Sequence, residues 1–228
     1  MNKELQKRLL TSLLLLLLLY LMFSYSYILI VAVILIALIS WIEFYALISK
    51  IFKKKNKINK IVRFIFKFTS LLYLSFLVYL ILVAKFDKTV SEIFIIYSIL
   101  ISIMSDTGGL IIGRIFKGKK LTNISPKKTV SGSIGSFIFS ISSIPLFVQY
   151  LPYFNLILIV IITLVISLTT QIGDLFISYL KRKAKVKDTS DLLPGHGGVL
   201  DRIDGIIFSI PVGFLILNYC KWKKKLQF

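Results

Sequence analysis

The chain has 228 residues, of which 57% are hydrophobic and 17% are charged, with a formal net charge of +19. A soluble domain usually carries about a quarter charged residues, whereas several apolar runs here reach the roughly 20 residues that cross a bilayer. This composition excludes an ordinary soluble domain. It predicts an all-α, polytopic integral membrane helical bundle. The single cysteine, Cys220, excludes an intrachain disulfide.

About seven membrane spans are predicted in chain order. The first two are joined by the uncharged Ser24-Tyr25-Ser26 and lack the small-residue cleavage site of a signal peptide. The strongly basic segment that follows Lys50 is placed inside. The predicted spans are residues 9–24, 27–49, 64–84, 90–104, 133–150, 153–169 and 203–218.

The segment after Met104 predicts irregular backbone close to the membrane. Asp106 and the glycines that follow it precede a short apolar piece that carries Arg114. We expect a broken or half-inserted helix, which is tolerated at membrane depth only where it lines a cavity or is buried in protein. A further short helix is expected from Gln171 through Arg182.

The charge pattern places the basic loops on one side of the membrane. The loops after Lys50, Arg114 and Lys181 all favour the cytoplasmic side. Seven spans that begin inside would put the C-terminus outside, although the basic tail over residues 221–225 prefers the inside. The chain is predicted to form one membrane domain over residues 1–228, with N-terminal spans in 1–100 and a catalytic region in 101–218.

Membrane lipid, and not nucleic acid, is the partner that this basic charge predicts. Lysine and arginine crowd the loops expected inside, where they orient helices and meet anionic lipid. The aromatic residues lie in the spans, whereas a surface that binds nucleic acid places them among the basic residues.

One charged, glycine-rich segment, residues 178–204, interrupts the apolar background. It contains the one histidine of the chain, His196, together with several acids and bases. Such a segment is costly beside a bilayer, so we expect it to handle a charged ligand, with phosphate and divalent metal as the leading candidates. Six of the seven Asp are placed on the side of this segment: Asp106, Asp174, Asp188, Asp191, Asp201 and Asp204.

Three of these carboxylates are candidate Mg²⁺ ligands. Asp201 and Asp204 are three residues apart and would share one face of a helix, with Asp174 entering from a neighbouring helix end. Mg²⁺ is held by a few carboxylates and completed by water and substrate phosphates. Solvated carboxylates that pair with Arg202 or nearby lysines would show the same spacing, so both interpretations stay open.

Glycines and bases supply candidate phosphate ligands. Three glycines, Gly195, Gly197 and Gly198, would let the backbone approach an anion, although they also suit a sharp turn into the last span. The basic candidates, which taken alone also fit a membrane surface, are Lys127, Lys128, Lys181 and Arg182. His196 fits either a site role or a structural role. No Ser-His-Asp order, CxxC or P-loop sequence is present.

Taken together, these motifs resemble the phosphatidate cytidylyltransferases (CDP-diacylglycerol synthases). The signature reads Ser178, Lys181-Arg182, Lys187-Asp188, Pro194-Gly195-His196-Gly197-Gly198 and Asp201-Arg202-Ile203-Asp204. Further matches are Gly173-Asp174-Leu175, Asp106-Thr107-Gly108 and Ser125-Pro126-Lys127-Lys128-Thr129, so that the likeness covers about residues 100–215. The chain departs from the family pattern at Ser131, usually Glu or Gln, at Ile177, usually Glu, at Lys117-Gly118 and at Gly205.

The resemblance implies an Mg²⁺-dependent reaction of CTP with phosphatidate that gives CDP-diacylglycerol and pyrophosphate. It implies a multi-pass protein of the bacterial inner membrane whose active site faces the cytoplasm. The implied catalytic residues are Asp174, Asp201, Asp204, Lys181, Arg202 and His196, and the three Asp are the implied metal ligands. The implied substrate-binding residues are Asp106, Lys127, Lys128, Arg182, Gly195, Gly197 and Gly198.

Three alternatives to this function remain from the sequence. One is a polyprenol kinase, and another is an archaeal-type lipid cytidylyltransferase, both of which use CTP on another lipid. The third is a membrane transporter, since broken helices and intramembrane charge are typical of that class. Assembly as a homodimer is also left open.

Overall fold

The protein is helical and falls into two compact units. The computed structural model describes residues 3–53, 56–87, 92–122, 124–152 and 154–225, and within these ranges it contains no β-strand. The first unit comprises Met1–Tyr79 with Leu180–Ile203, and the second comprises Leu80–Tyr179 with Asp204–Phe228. The predicted all-α fold class is confirmed. The predicted division near residue 100 stays a prediction.

The helices follow the predicted order of apolar runs. Within the described ranges they are α1 (Lys3–Ser24), α2 (Ser26–Ile51), α3 (Lys57–Phe86), α4 (Ile93–Phe116), α5 (Val130–Ser142), α6 (Leu156–Lys183), α7 (Leu200–Ile203) and α8 (Ile206–Lys225). Two short 3-10 helices, Ile144–Leu146 and Val148–Tyr150, follow α5.

Five of the described helices are long and apolar enough to cross a membrane, namely α2, α3, α4, α6 and α8. Two shorter apolar helices, Leu9–Ser24 and Val130–Leu146, lie where the first and fifth spans were predicted. The count of seven spans is therefore not confirmed, although a helix occupies each predicted position. The predicted starts of two spans, at Val90 and Tyr153, lie outside the described residues.

The predicted break after Met104 is wrong, because α4 runs unbroken through Gly108 and Gly109. The glycines allow close packing against α5 instead. A Cβ on Gly108 would lie 2.5 Å from the carbonyl oxygen of Gly135, and a Cβ on Gly135 would lie 2.4 Å from Cβ of Ile112. Small residues at such crossings let helix backbones approach each other within a membrane.

Two helix boundaries also differ from the prediction. The short helix expected to open at Gln171 is the last part of α6, which is continuous over Leu156–Lys183. Gly173 fits within this helix because α8 packs closely against it: a Cβ there would lie 2.6 Å from the ring of Phe208. The last long helix begins at Ile206, after the separate short helix α7.

The apolar core of the second unit is formed by α4, α6 and α8 with the end of α3. It contains buried hydroxyl pairs: Tyr97 Oη lies 2.6 Å from Oγ1 of Thr163, and the Oγ atoms of Ser105 and Ser167 are 3.0 Å apart. Such pairing is needed because an unpaired buried hydroxyl is costly where water is excluded. The apolar members include Leu80, Phe94, Ile101, Ile159, Ile162, Ile166, Phe214 and Leu217.

Gly135→Val is expected to lower the unfolding temperature of the detergent-purified protein, because a side chain has no room between α4 and α5. Overpacking of this kind costs about 1–3 kcal/mol. Ile138→Val, at a position of α5 that is 54% exposed, is the matched control and should unfold like the wild type. An unchanged unfolding temperature for Gly135→Val would contradict this close helix crossing.

Candidate active site

The predicted site residues fall into two groups, one in each unit. The first unit contains four candidates in the segment between α6 and α7 and two in each of these helices, namely Gly195, His196, Gly197, Gly198, Lys181, Arg182, Asp201 and Arg202. The second unit contains Asp106, Lys127, Lys128, Asp174 and Asp204. Candidate metal ligands are therefore present in both units.

The segment before α7 is held by a buried carboxylate, Glu43 of α2, to which the sequence analysis assigned no role. Its side chain is only 4% exposed. Oε1 accepts hydrogen bonds from Ser190 Oγ at 2.6 Å and from the amide of Val199 at 3.1 Å. Oε2 accepts from Thr189 Oγ1 and from the amide of Leu200, both at 2.8 Å. No described residue forms an ion pair with Glu43. The four hydrogen bonds are therefore what offsets the cost of burying its carboxylate.

A sequence signal for Glu43 did exist. It is the one acidic residue within the apolar run of α2. An ionisable residue inside a membrane span is expensive and is therefore a functional-site candidate by itself.

Asp201 is bound through both of its carboxylate oxygens. Oδ1 accepts a hydrogen bond from Lys181 Nζ at 2.7 Å. Oδ2 accepts from the amide of Thr189 at 2.8 Å, from the hydroxyl of Thr189 at 2.9 Å and from the amide of Gly198 at 3.0 Å. Burial raises the pKa of the Asp201 carboxyl, but Lys181 and these hydrogen bonds outweigh it and hold the pKa below the ordinary value of 3.8. Asp201 is therefore an anion at neutral pH.

The glycines of the segment build a tight turn. Gly195 and Gly197 have φ angles of +76° and +82°, a left-handed conformation that favours glycine. The amide of Leu193 donates to the carbonyl of Gly197 at 2.8 Å, and the amide of Gly197 donates back at 3.1 Å. The Gly198 amide donates to Asp201. A phosphate that used the amide of Gly197 or Gly198 would have to displace one of these bonds.

The side chain of Arg202 contacts the backbone carbonyl oxygen of His196. Arg202 Nε donates to the carbonyl oxygen of His196 at 2.9 Å, and Nη2 contacts the same oxygen. His196 Nε2 lies 3.4 Å from Oγ of Ser12 in α1, while its Nδ1 is buried without a hydrogen-bond partner among the described residues. Thr11 also donates to the carbonyl of Pro194 at 3.0 Å. The turn is thus fixed from α1 as well as from α2.

In the second unit, Asp174 of α6 forms an ion pair with Lys128. Asp174 also accepts a hydrogen bond from Ser178 Oγ at 3.3 Å. A turn presents Lys128, because its amide donates to the carbonyl of Ser125 at 3.0 Å. The side chain of Thr129 then caps the N-terminus of α5. A predicted phosphate ligand is therefore paired with a predicted metal ligand.

Asp204 directly follows α7, which ends at Ile203, so a helix face shared with Asp201 stays a prediction. Its Oδ1 accepts the amide of Gly205 at 2.9 Å, and the residue is 9% exposed. The resulting turn packs closely on α6, since a Cβ on Gly173 would lie 2.8 Å from the carbonyl oxygen of Asp204. Gly173 directly precedes Asp174.

Two of the departures from the family pattern, at Ser131 and at Ile177, fit their surroundings. Ser131 Oγ donates to the carbonyl of Lys117 and lies 3.0 Å from Oγ1 of Thr129. Ile177 is 1% exposed, which suits an apolar side chain, whereas an acid there would need a polar partner. The remaining candidates of the site, which have exposed side chains, are Asp106, Lys127 and Arg182.

Metal ligation by Asp174, Asp201 and Asp204 stays a prediction. In the part of the chain that the structure describes, no three or more His, Cys, Asp or Glu side chains are gathered in an arrangement that could hold a metal ion. The donor chemistry nevertheless suits Mg²⁺, which prefers carboxylate oxygens and fills its remaining positions with water and substrate phosphates.

Fold and site together define a helical membrane protein that holds paired carboxylates and lysines at charged segments between long apolar helices. The family model described as "Cytidylyltransferase family" matches residues 1–220, and the chain belongs to that family. The resemblance predicted from the motifs is confirmed.

Curated bacterial relatives carry the name phosphatidate cytidylyltransferase. The protein of Rickettsia typhi is 46% identical over 123 residues, which cover 50% of this chain and 54% of the relative. The protein of Rickettsia prowazekii is 44% identical over 122 residues, which cover 50% and 54%. The protein of Staphylococcus haemolyticus is 40% identical over 127 residues, which cover 54% and 48%. The chain spans about half the length of the curated relatives it matches.

Gly198→Ala is expected to push the segment before α7 away from Glu43, because the new Cβ would lie 2.0 Å from Oγ1 of Thr189 and 2.5 Å from Oε2 of Glu43. Local opening makes a chain a better protease substrate, so trypsin should cut several times faster at the lysines between residues 183 and 187. Val199→Ala keeps its backbone donor and serves as the control. Equal cleavage rates in the two variants would show that the clash is relieved without opening the segment.

Asp201→Asn is expected to reveal a pH-dependent loss of stability. Because the folded-state pKa of Asp201 lies below the ordinary value of 3.8, the ionised carboxylate stabilises the fold above about pH 4, and this contribution is lost as pH falls through the folded-state pKa. The difference in unfolding temperature between wild type and variant should stay constant from pH 7 to about pH 4 and shrink below it. A difference that grows on acidification would argue against a stabilised anion.

Proposed function

We propose that the chain transfers the cytidylyl group of CTP to phosphatidate, giving CDP-diacylglycerol and pyrophosphate in phospholipid biosynthesis. Membership of the cytidylyltransferase family and the name of the bacterial relatives support this proposal. The structural observation that carries it is the ionised Asp201 paired with Lys181 at 2.7 Å. Together they offer the negative charge that a cation needs and the positive charge that a phosphate needs.

The reaction requires charge neutralisation and in-line placement more than it requires a general base. Phosphatidate is a phosphomonoester with a second pKa of about 6, so it is largely a dianion at neutral pH. One of its oxygens attacks the α-phosphorus of CTP and forms a new P–O bond. The bond from the α-phosphorus to the oxygen bridging to the β-phosphate breaks, and pyrophosphate leaves with the electron pair.

The basic side chains would neutralise the phosphate oxygens. Lys128 and Lys181 are each paired with a carboxylate. A lysine ammonium is a point charge on a flexible stem, so each of them can turn towards a phosphate while its carboxylate stays in place. Lys127 is exposed next to Lys128. Arg202 would have to exchange its bond to the His196 carbonyl for one to phosphate.

Mg²⁺ is the proposed cofactor, with Asp174, Asp201 and Asp204 as its protein ligands. The ion is commonly bound through one or two carboxylates together with substrate phosphates. The ion pairs of Asp174 with Lys128 and of Asp201 with Lys181 support this proposal, because both carboxylates already carry a positively charged partner. When bound, Mg²⁺ would supply neutralisation of the charge on the phosphate oxygens.

We place the reaction at the cytoplasmic face of the bacterial inner membrane. The basic segments that follow α2, α4 and α6 support this orientation through the excess of lysine and arginine in cytoplasmic loops. A site at the inner interface admits CTP from the cytoplasm and a two-chain lipid from the bilayer.

Isotope transfer in detergent micelles tests the reaction. CTP labelled at the α-phosphate should deliver label to a chloroform-soluble product only when both phosphatidate and Mg²⁺ are present. CTP labelled at the γ-phosphate should deliver none. Asp201→Ala should reduce transfer at least 100-fold while the protein still inserts and purifies, because removing a group that acts in the transition state commonly costs ~100-fold or more.

Other outcomes identify other functions. Transfer of the γ-label to lipid would indicate a CTP-dependent kinase, and α-label transfer to a polyprenol or an archaeal-type lipid in place of phosphatidate would indicate a different acceptor. Ion or solute flux through proteoliposomes without CTP would indicate a transporter. Near-normal turnover of Asp201→Ala would refute the role assigned to that carboxylate.

A further inference from the structure

A basic cleft lies in the first unit, where three long helices begin or end. Its volume is about 630 Å³, within the range of about 300–1,000 Å³ that is typical of ligand sites. The end of α2, the first turn of α3 and the end of α6 contribute to it, together with the residues that follow α2 and α6. The lining residues, all of them in the first unit, are Lys50, Ile51, Lys53, Asn59, Lys183, Ala184, Lys185 and Val186.

The lining of the basic cleft carries positive charge and no negative charge. Four of its eight residues are lysine, and none is Asp or Glu. Lys50, Lys53 and Lys185 are exposed and form no ion pair with any residue that the structure describes. Ammonium groups that share one cleft repel each other, so a bound anion would lower the electrostatic energy of the cleft.

The helix dipoles account for two of these lysines. Lys50 and Lys183 lie in the last turns of α2 and α6, where a cation is favourable beside the free carbonyl groups. Lys53 and Lys185 follow the ends of these helices. The effect of the dipole falls off within the last turn of a helix, so the charges of Lys53 and Lys185 call for another partner.

The backbone at Lys185 would suit glycine better than lysine. Its φ angle is +57°, in the left-handed region. The amide of Lys185 donates to the carbonyl of Arg182 at 3.1 Å, and the amide of Val186 donates to the carbonyl of Lys181 at 3.0 Å. This pattern commonly ends a helix with glycine at the left-handed position. The turn itself therefore gives no reason for a lysine side chain, whereas a ligand for its ammonium group would.

The position and the lining of the basic cleft favour a phosphate. The helices α2, α3 and α6 are each long and apolar enough to cross a membrane, so their ends are expected among the lipid headgroups. Lysine binds phosphate as a point charge. Ile51 and Val186 add apolar surface beside the lysines, which suits a ligand that has both a charged and an apolar part.

We propose that the basic cleft is a phosphate-binding site formed by residues outside the candidate active site, with Lys50, Lys53 and Lys185 as its cationic ligands. The phosphate belongs either to the headgroup of an anionic membrane lipid or to a soluble anion. The inference does not rest on the proposed function, because none of the lining residues was assigned to catalysis or to the binding of CTP and phosphatidate.

Two double variants that lose the same charge test this site. Lys53→Gln with Lys185→Gly removes two ammonium groups from the cleft, and it should fold because glycine suits the left-handed backbone at position 185. Lys57→Gln with Lys60→Gln is the matched control. It removes two exposed lysines from the first turn of α3 that do not line the cleft.

The readout is the rise in unfolding temperature that added dioleoylphosphatidylglycerol gives in neutral detergent. Salt at about 0.3 M screens charges that are exposed and far apart. A lysine at an anionic lipid surface strengthens binding about fivefold, so the cleft variant should need about 30-fold more lipid for half of the rise. The control variant should need no more than about threefold more. Dioleoylphosphatidylcholine, which has no net charge, should give a much smaller rise.

Inorganic phosphate, titrated in a separate series, distinguishes the two sources. A rise with phosphatidylglycerol that the cleft variant loses selectively would identify a lipid headgroup, and the same pattern with inorganic phosphate alone would identify a soluble anion. Either pattern supports the site. Equal requirements in the two double variants would show general attraction to a basic surface and would overturn the proposal. The absence of a rise with both probes would also overturn it.

Lysine acetylation, measured by mass spectrometry in the wild type, locates the bound anion directly. The probe that raises the unfolding temperature should slow acetylation of Lys50, Lys53 and Lys185 several-fold, while Lys57 and Lys60 stay reactive. Phosphatidylglycerol is a phosphodiester and lacks the phosphomonoester of phosphatidate, so this result is separate from the proposed reaction. Equal protection of all five lysines would contradict a site in the cleft.

Discussion

A carboxylate buried in a membrane helix must be matched by donors, and in this protein that requirement organises the charged segment of the first unit. Glu43 has no ion pair among the described residues and is satisfied by two hydroxyls and two backbone amides. All four donors come from residues 189–200, so the buried charge fixes where that segment lies. Gly198 must be glycine because a Cβ would occupy the place of these donors. The same arrangement positions Asp201, because Thr189 Oγ1 lies within hydrogen-bond distance of the carboxylates of both Glu43 and Asp201. Lys181 in turn donates to Asp201.

The second unit depends on a different constraint, which is the close approach of helices within an apolar medium. Gly108 and Gly135 let α4 and α5 touch through their backbones, and Gly173 of α6 makes room for the ring of Phe208 in α8 and for the carbonyl of Asp204. Asp174 follows Gly173 directly, so the packing that brings α6 against the turn at Asp204 also sets the position of that carboxylate. In the second unit, the carboxylate of Asp174 is therefore carried by a helix whose close packing depends on a neighbouring residue without a side chain.

Apolar runs and local motifs were predictable from the sequence, whereas long-range pairing was not. The helical fold, the order of helices and the family followed from run length and from a signature in register. The partners of Glu43 could not be predicted, because they are 146–157 residues away and are hydroxyls and backbone amides, which leave no charge pattern in the sequence. Gly108 was interpreted as a break because its role depends on Gly135, a residue in another helix. Asp204 was assigned to a helix that ends one residue earlier, at Ile203.

The measurement that tests this account most directly is hydrogen–deuterium exchange of the segment over residues 188–203 in the wild type and in Glu43→Ala. The account predicts slow exchange in the wild type, because the amides of Val199 and Leu200 donate to the buried carboxylate. In Glu43→Ala those amides should exchange much faster, while the interior of α4 stays protected. Unchanged protection of Val199 and Leu200 in the variant would contradict the claim that Glu43 holds the segment.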